Sequence, residues 1–105
     1  MIDSSYDRFF TTLGNKNRLA IIHYLAKYGP KNVSQIVDAT KLEQTAVSHN
    51  LKMLLSCQFV HLTPNGKRRV YSINEETIKP LLTLMDKHVS EFCKKTCDKC
   101  AVSIL

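Results

Sequence analysis

The stretch from Thr40 to Ile73, TKLEQTAVSHNLKMLLSCQFVHLTPNGKRRVYSI, changes its apolar period partway along, and that change limits what the chain can build. After Glu43, the residues Ala46, Val47, Leu51, Leu54 and Leu55 recur at the spacing of one helical face. Val60, Leu62, Val70, Tyr71 and Ile73 then flank Pro64-Asn65-Gly66 as two strands about a turn. The Asn-Gly pair tolerates the positive φ angles that a tight hairpin needs. The other face of the helix carries Gln44, Thr45, Ser48, His49 and Lys52, short polar groups and one cation of the kind that reach base edges and phosphates. Lys67, Arg68 and Arg69 sit just beyond the turn. A helix sized for a DNA major groove with a cationic hairpin at its side predicts a winged helix-turn-helix, mainly α with a β-hairpin wing.

The rest of the chain fits around that unit. Ser4 or Ser5 caps a first short helix with Tyr6, Phe9, Phe10 and Leu13 as its apolar stripe, ended by Gly14-Asn15. A second helix is expected over 17–27, with Leu19, Ile22, Leu25 and Ala26 inward, stopped by Gly29-Pro30. A third runs over 33–39 with Ile36 and Val37 in the core. Beyond the wing, Asn74 or Thr77 caps a last helix reaching to about residue 95, in which Ile78, Leu81, Leu82, Met85, Val89 and Phe92 keep helical spacing. Pro80 is harmless there only within a first turn, so the helix should begin near Thr77. The apolar stripes of the first and last helices both need cover, and a two-fold homodimer built from both supplies it. The expected organisation is a single domain over 1–105, with dimerisation helices at 1–14 and 74–96, the helix-turn-helix at 32–56, the wing at 59–73 and a Cys-containing tail at 97–105.

Charge and composition agree with a nucleic-acid partner. Fifteen Lys and Arg against nine Asp and Glu leave a formal +6, which favours an anionic partner. No apolar run approaches the roughly 20 residues that span a bilayer, and MIDSSYDRFF lacks the apolar centre of a secretion signal. A cytoplasmic protein is expected, with its four cysteines reduced and suited to metal or redox chemistry. No catalytic carboxylate pair, activated nucleophile or Gly-rich phosphate loop is evident, and the chain has only three glycines, so no enzyme is expected.

Specific motifs sharpen this. Leu13-Gly14-Asn15 with Asn17-Arg18-Leu19 resembles the "LG-x-x-x-R-L" motif opening the second helix of the ArsR/SmtB family of small dimeric repressors. The segment QTAVSHNLKMLL, from Gln44 to Leu55, resembles that family's recognition segment, and Phe59-Val60 with Gly66-Lys67-Arg68-Arg69-Val70-Tyr71 resembles its wing. One departure is Asn50, where members usually carry His before Leu, and its expected consequence is for base preference. The resemblance implies a DNA-binding homodimer that releases DNA when an inducer, often a metal, binds. It also implies a zinc site on the terminal helices, an acid-x-His pair on one chain meeting His-x-x-Glu on the other. His88 and Glu91 match the second pair, whereas the first falls on Glu75 and Thr77, and Thr is a poor zinc ligand.

The cysteines offer another sensor. Cys93, Cys97 and Cys100 have C-x3-C-x2-C spacing, which on a continued helix puts three thiols on one face. Three thiolates suit As(III), or Zn(II) and Cu(I) with a further ligand, and Lys94, Lys95 and Lys99 favour the thiolate form. An iron–sulfur cluster, a metal-free redox or persulfide sensor and a tail without ligand are the competing readings. Cys57 reads as a small apolar filler, with a fourth ligand to the tail as the functional alternative. The function expected is a homodimeric repressor of double-stranded DNA released by a metal, a metalloid or a thiol-reactive inducer. A constitutive or architectural DNA-binding protein and a protein-interaction winged helix are the alternatives.

Overall fold

A computed structural model describes residues 4–93. Its elements are α1 (Ser4–Leu13), α2 (Lys16–Tyr28), β1 (Lys31–Asn32), α3 (Val33–Thr40), α4 (Gln44–Ser56), β2 (Val60–Asn65), β3 (Arg68–Ile73) and α5 (Ile78–His88), followed by a π-helical turn at Val89–Cys93. The helix boundaries follow from local side-chain chemistry. Asn15 caps α2 by accepting the Arg18 amide at 3.1 Å, and Gly29 ends that helix at φ 85°, a backbone state that suits glycine. Asn32 and Gln35 form a reciprocal capping box on α3, each side chain 2.9 Å from the other's backbone nitrogen. Asn74 opens the last helical region, its carboxamide oxygen accepting from the Glu76 and Thr77 amides. Pro80 lies in the first turn of α5, as its missing N–H requires.

The sheet has three antiparallel strands in the order β1-β3-β2, so the wing is more than the expected hairpin. Two residues of β1 pair with β3, Lys31 with Tyr71 and Asn32 with Val70, which ties the wing to the start of α3. The turn also lies one residue later than Asn65-Gly66. Asn65 pairs with Arg68, leaving Gly66-Lys67 as the loop, and Gly66 takes φ 66° at its first position. Lys67 is therefore in the turn itself. Along β3, Tyr71 and Ile73 are buried while Val70 and Ser72 face the other way, the period-two pattern of a sheet with one covered side.

The core is where α2, α3, α4 and the base of the wing meet. Ile21, Ile22, Leu25, Ile36, Val47, Leu51 and Leu54 are fully enclosed, and Phe59 and Val60 nearly so. Ile78 and Leu82 seat α5 against this core. α1 contributes Leu13 and half-buried Phe9, whose ring lies 5.1 Å from that of Phe59. Its remaining apolar residues stay outside: Tyr6 is 53% and Phe10 63% exposed. Leu84 on α5 and Phe92 in the π-helical turn are similarly exposed.

Candidate nucleic-acid interface

The two sides of α4 differ in burial as sharply as their sequence differs in polarity. Val47, Leu51 and Leu54 point into the core, and Gln44, Thr45, Ser48, His49 and Lys52 are all exposed. Their spacing gathers the five on one face over just over two turns. α3 precedes this helix through a short turn at Lys41–Glu43, in which Lys41 adopts φ 62° and its amide donates to the Val37 carbonyl. That left-handed residue reverses the chain, and the sequence offers no glycine to mark it.

The inner side of α4 is fastened by an arginine. Arg18 is 7% exposed, and its Nε donates to the Thr12 carbonyl at 2.7 Å. Its Nη2 donates to the Thr11 carbonyl at 3.3 Å, and its Nη1 reaches the Asn50 carboxamide oxygen at 3.1 Å and the Met53 sulfur at 3.3 Å. Asn50 in turn donates to the Ala46 carbonyl at 2.9 Å. The Phe10 and Leu13 carbonyls accept from the Gly14 and Asn15 amides, so the guanidinium satisfies the two carbonyls left over at the end of α1. That helix end is also electrostatically suited to a cation. Asn50 is thus 7% exposed and turned away from the polar face. The departure at this position therefore sits against Arg18 and off the exposed polar face of α4. The sequence carries the signal: Asn50 lies three residues after Val47 and four before Leu54, on the buried stripe.

The wing carries the second set of candidate residues. Lys67, Arg68 and Arg69 are exposed at its tip. Arg68 and Arg69 are neighbours on β3, so their side chains leave opposite faces of the ribbon. The ribbon thus presents cations on both sides and at the end. A polar helix face and a cationic ribbon, both held by one core, can contact base edges and phosphates together.

The candidate sensor residues are more dispersed. His88 and Glu91 are exposed, with the His88 ring 5.2 Å from that of Phe92. Among the described residues no group of three or more His, Cys, Asp or Glu side chains is placed to hold a metal ion. Cys93 is half-buried at the end of the π-helical turn, whereas Cys97 and Cys100 lie outside the described residues. Cys57 packs against the core at the end of α4, its sulfur 3.5 Å from the Thr12 hydroxyl. His23 bridges α2 and α5: Nδ1 lies 2.9 Å from the Leu19 carbonyl oxygen and Nε2 3.0 Å from Asp86 Oδ1. No helix among the described residues is long and apolar enough to cross a membrane.

Comparison with known proteins agrees with this geometry. The family model described as "Bacterial regulatory protein, arsR family" matches residues 15–61. An uncharacterized HTH-type transcriptional regulator from Methanocaldococcus jannaschii is 31% identical over 78 residues, covering 74% of this chain and 88% of the relative. The arsenical resistance operon repressor of Bacillus subtilis is 27% identical over 78 residues, 74% of each chain. Among solved structures, the homodimeric winged helix-turn-helix DNA-binding domain of a possible ArsR-family regulator from Mycobacterium bovis superposes with a TM-score of 0.80 at 30% identity. That match covers 90% of this chain and 86% of the other. With a buried arginine setting the inner side of α4 and a cationic three-stranded wing beside its polar side, the chain belongs to the ArsR family of DNA-binding transcription regulators, which are not enzymes.

Proposed function

We propose that the protein is a cytoplasmic homodimeric repressor that reads a two-fold DNA site with α4 and grips the backbone with its wing. The observation that carries this reading is the segregation on α4: five exposed polar side chains opposite three fully enclosed apolar ones. Gln44, Thr45, Ser48, His49 and Lys52 enter the major groove, and Lys67, Arg68 and Arg69 meet phosphates or the adjacent minor groove. Homodimerisation is supported by the exposed apolar residues of α1 and α5 and by the homodimeric state of the Mycobacterium bovis relative. It places two copies of α4 on successive turns of one duplex face.

The release signal in this reading is a metal, a metalloid or a thiol-reactive compound taken up by Cys93, Cys97 and Cys100. Thiolates suit As(III), Zn(II) and Cu(I), and the similar Bacillus subtilis protein is named for arsenical resistance. His88 and Glu91 would supply a second pair of ligands across the dimer.

Fluorescence anisotropy of reduced, metal-free protein on a duplex from upstream of its own gene tests both parts. Nanomolar binding that weakens steeply with salt is expected. Addition of As(III), Zn(II) or a mild oxidant should release the duplex, and Cys→Ser changes at Cys93, Cys97 and Cys100 should restore binding. Absence of salt-sensitive duplex binding would sink the DNA reading. Duplex binding indifferent to all three reagents would leave a constitutive DNA-binding protein.

A further inference from the structure

We infer that the groove between α2 and α5 binds a small organic anion with a flat apolar body, and that its occupant acts on the DNA-reading helix. The groove is open along one side and has a volume of about 870 Å³, enough for a small ligand. α2 lines one side with Lys16, Ala20, Tyr24 and Lys27, which share a helical face, and α5 lines the other with Lys79 and Leu82. Leu42, from the turn between α3 and α4, completes the lining.

The chemistry of this lining selects the ligand class. Ala20, Ala39 and Leu42 offer apolar surface, and the Tyr24 and Tyr28 rings, 5.3 Å apart, offer flat faces. Lys16, Lys27 and Lys79 line it and are exposed, with the Lys27 ammonium 5.3 Å from the centre of the Tyr28 ring. The single carboxylate of the lining, Asp86, is already engaged with His23. Lys79 also approaches Glu75 at 3.3 Å, but this exposed pair is weakly held. The excess charge is therefore positive, and a carboxylate or sulfonate on a planar apolar ligand complements it.

Position gives the site its consequence. Leu42 belongs to the turn that sets α4 against α3, and Lys79 to Asp86 lie on α5, which carries the exposed Leu84. An occupant touches both the helix-turn-helix and the terminal helix. This coupling rests on the DNA-binding reading, whereas ligand binding itself does not.

The test titrates the full chain with 8-anilinonaphthalene-1-sulfonate, a planar apolar anion that fluoresces when bound, with benzoate as competitor. A saturable phase of one probe per chain, displaced by benzoate, is expected. The paired change Lys16→Glu and Lys79→Glu should weaken it by about tenfold or more, since reversed charge repels the anion. Ala20→Trp should weaken it by occupying the part of the groove beside Tyr24, and Phe10→Ser, on the apolar side of α1, should keep it. Lys16 and Lys79 are exposed, so the charge variant keeps its fold even if Ala20→Trp does not, which circular dichroism establishes. No saturable phase, an undiminished phase in the charge variant, or a phase lost only with Phe10→Ser overturns the site. Saturating probe should then change duplex affinity by about fivefold or more in the wild type and not in the charge variant. An unchanged wild-type affinity overturns the coupling. A probe phase that behaves as expected in a protein that binds no duplex supports the site and strikes the DNA-binding reading instead.

Discussion

The end of α1 at Arg18 and the outer faces of α1 and α5 treat exposed chemistry in opposite ways. At Arg18 the carbonyls of the last turn of α1 find donors, and the guanidinium, though buried, has acceptors on Thr11, Thr12 and Asn50. On the outer side of the same helix Tyr6 and Phe10 stand in solvent, as do Leu84 and Phe92 in the last helical region. One region is satisfied within a single chain, and the other is the face that the proposed homodimer would cover. In the proposed homodimer the shape of each helix-turn-helix is set within its own chain, and the spacing of the two is set by the outer faces of α1 and α5.

The sharpest way to break this contrast is at the outer face. Leu84→Asp puts a charge where the proposed dimer buries an isobutyl group, and two-fold symmetry counts the change twice. Dimerisation should weaken by about 2–5 kcal/mol, read by sedimentation equilibrium, while circular dichroism of the monomer stays unchanged. A protein that remains dimeric would place the interface elsewhere. The satisfied region should respond in the reverse manner. Arg18→Met strands the Thr11 and Thr12 carbonyls and the Asn50 oxygen, and stability should fall by about 2–4 kcal/mol in urea titrations. Arg18→Lys should recover only part, because one ammonium cannot serve carbonyls and carboxamide as a planar fork does.

The same contrast explains what is legible in the sequence. Helices α1 to α5 follow from apolar spacing that their burial repeats, as with Val47, Leu51 and Leu54. The strand β1 has only two residues, too short to carry a period, and its pairing is decided by β3 arriving from about forty residues later in the chain. Asn65-Gly66 is a strong turn signal, yet register across the hairpin assigns Asn65 to a strand and shifts the loop to Gly66-Lys67. Arg18 sits in the run NRLAII, where a charged residue reads as solvent-facing until the carbonyls it answers are known. The π-helical turn at Val89–Cys93 is equally hidden, because nothing in the run VSEFC marks where the helix widens.

Within the proposed interface, the exposed side of α4 and the wing should separate by salt and sequence dependence. Ser48→Ala or His49→Ala should cost about 1–3 kcal/mol on the cognate duplex and relax specificity at one base step. Arg68→Ala or Arg69→Ala should weaken binding to every duplex and reduce the salt slope by about one unit for each phosphate that is no longer neutralised. A salt slope unchanged in both arginine variants would mean that the wing does not touch the backbone.

The smallest expected effect concerns how α4 is joined to its neighbours. Lys41 before it and Gln58 after it both take positive φ, 62° and 58°, without being glycine. An L-residue in that region costs about 1–2 kcal/mol relative to its preferred states. Gln58 is held there by its amide, which donates to the Leu55 carbonyl at 3.0 Å, and by its own carbonyl, which accepts from Asn74 at 2.9 Å. Both bonds use backbone atoms of Gln58, so Gln58→Gly keeps them and relieves the conformational cost, offset in part by the greater freedom of glycine when unfolded. Stability should rise by about 0.5–1 kcal/mol in thermal or urea unfolding, with duplex affinity unchanged because Gln58 lies outside the polar face of α4. Gln58→Ala keeps the same backbone bonds without that relief and should show no such gain. If glycine and alanine behave alike, the side chain rather than the backbone angle matters at this junction.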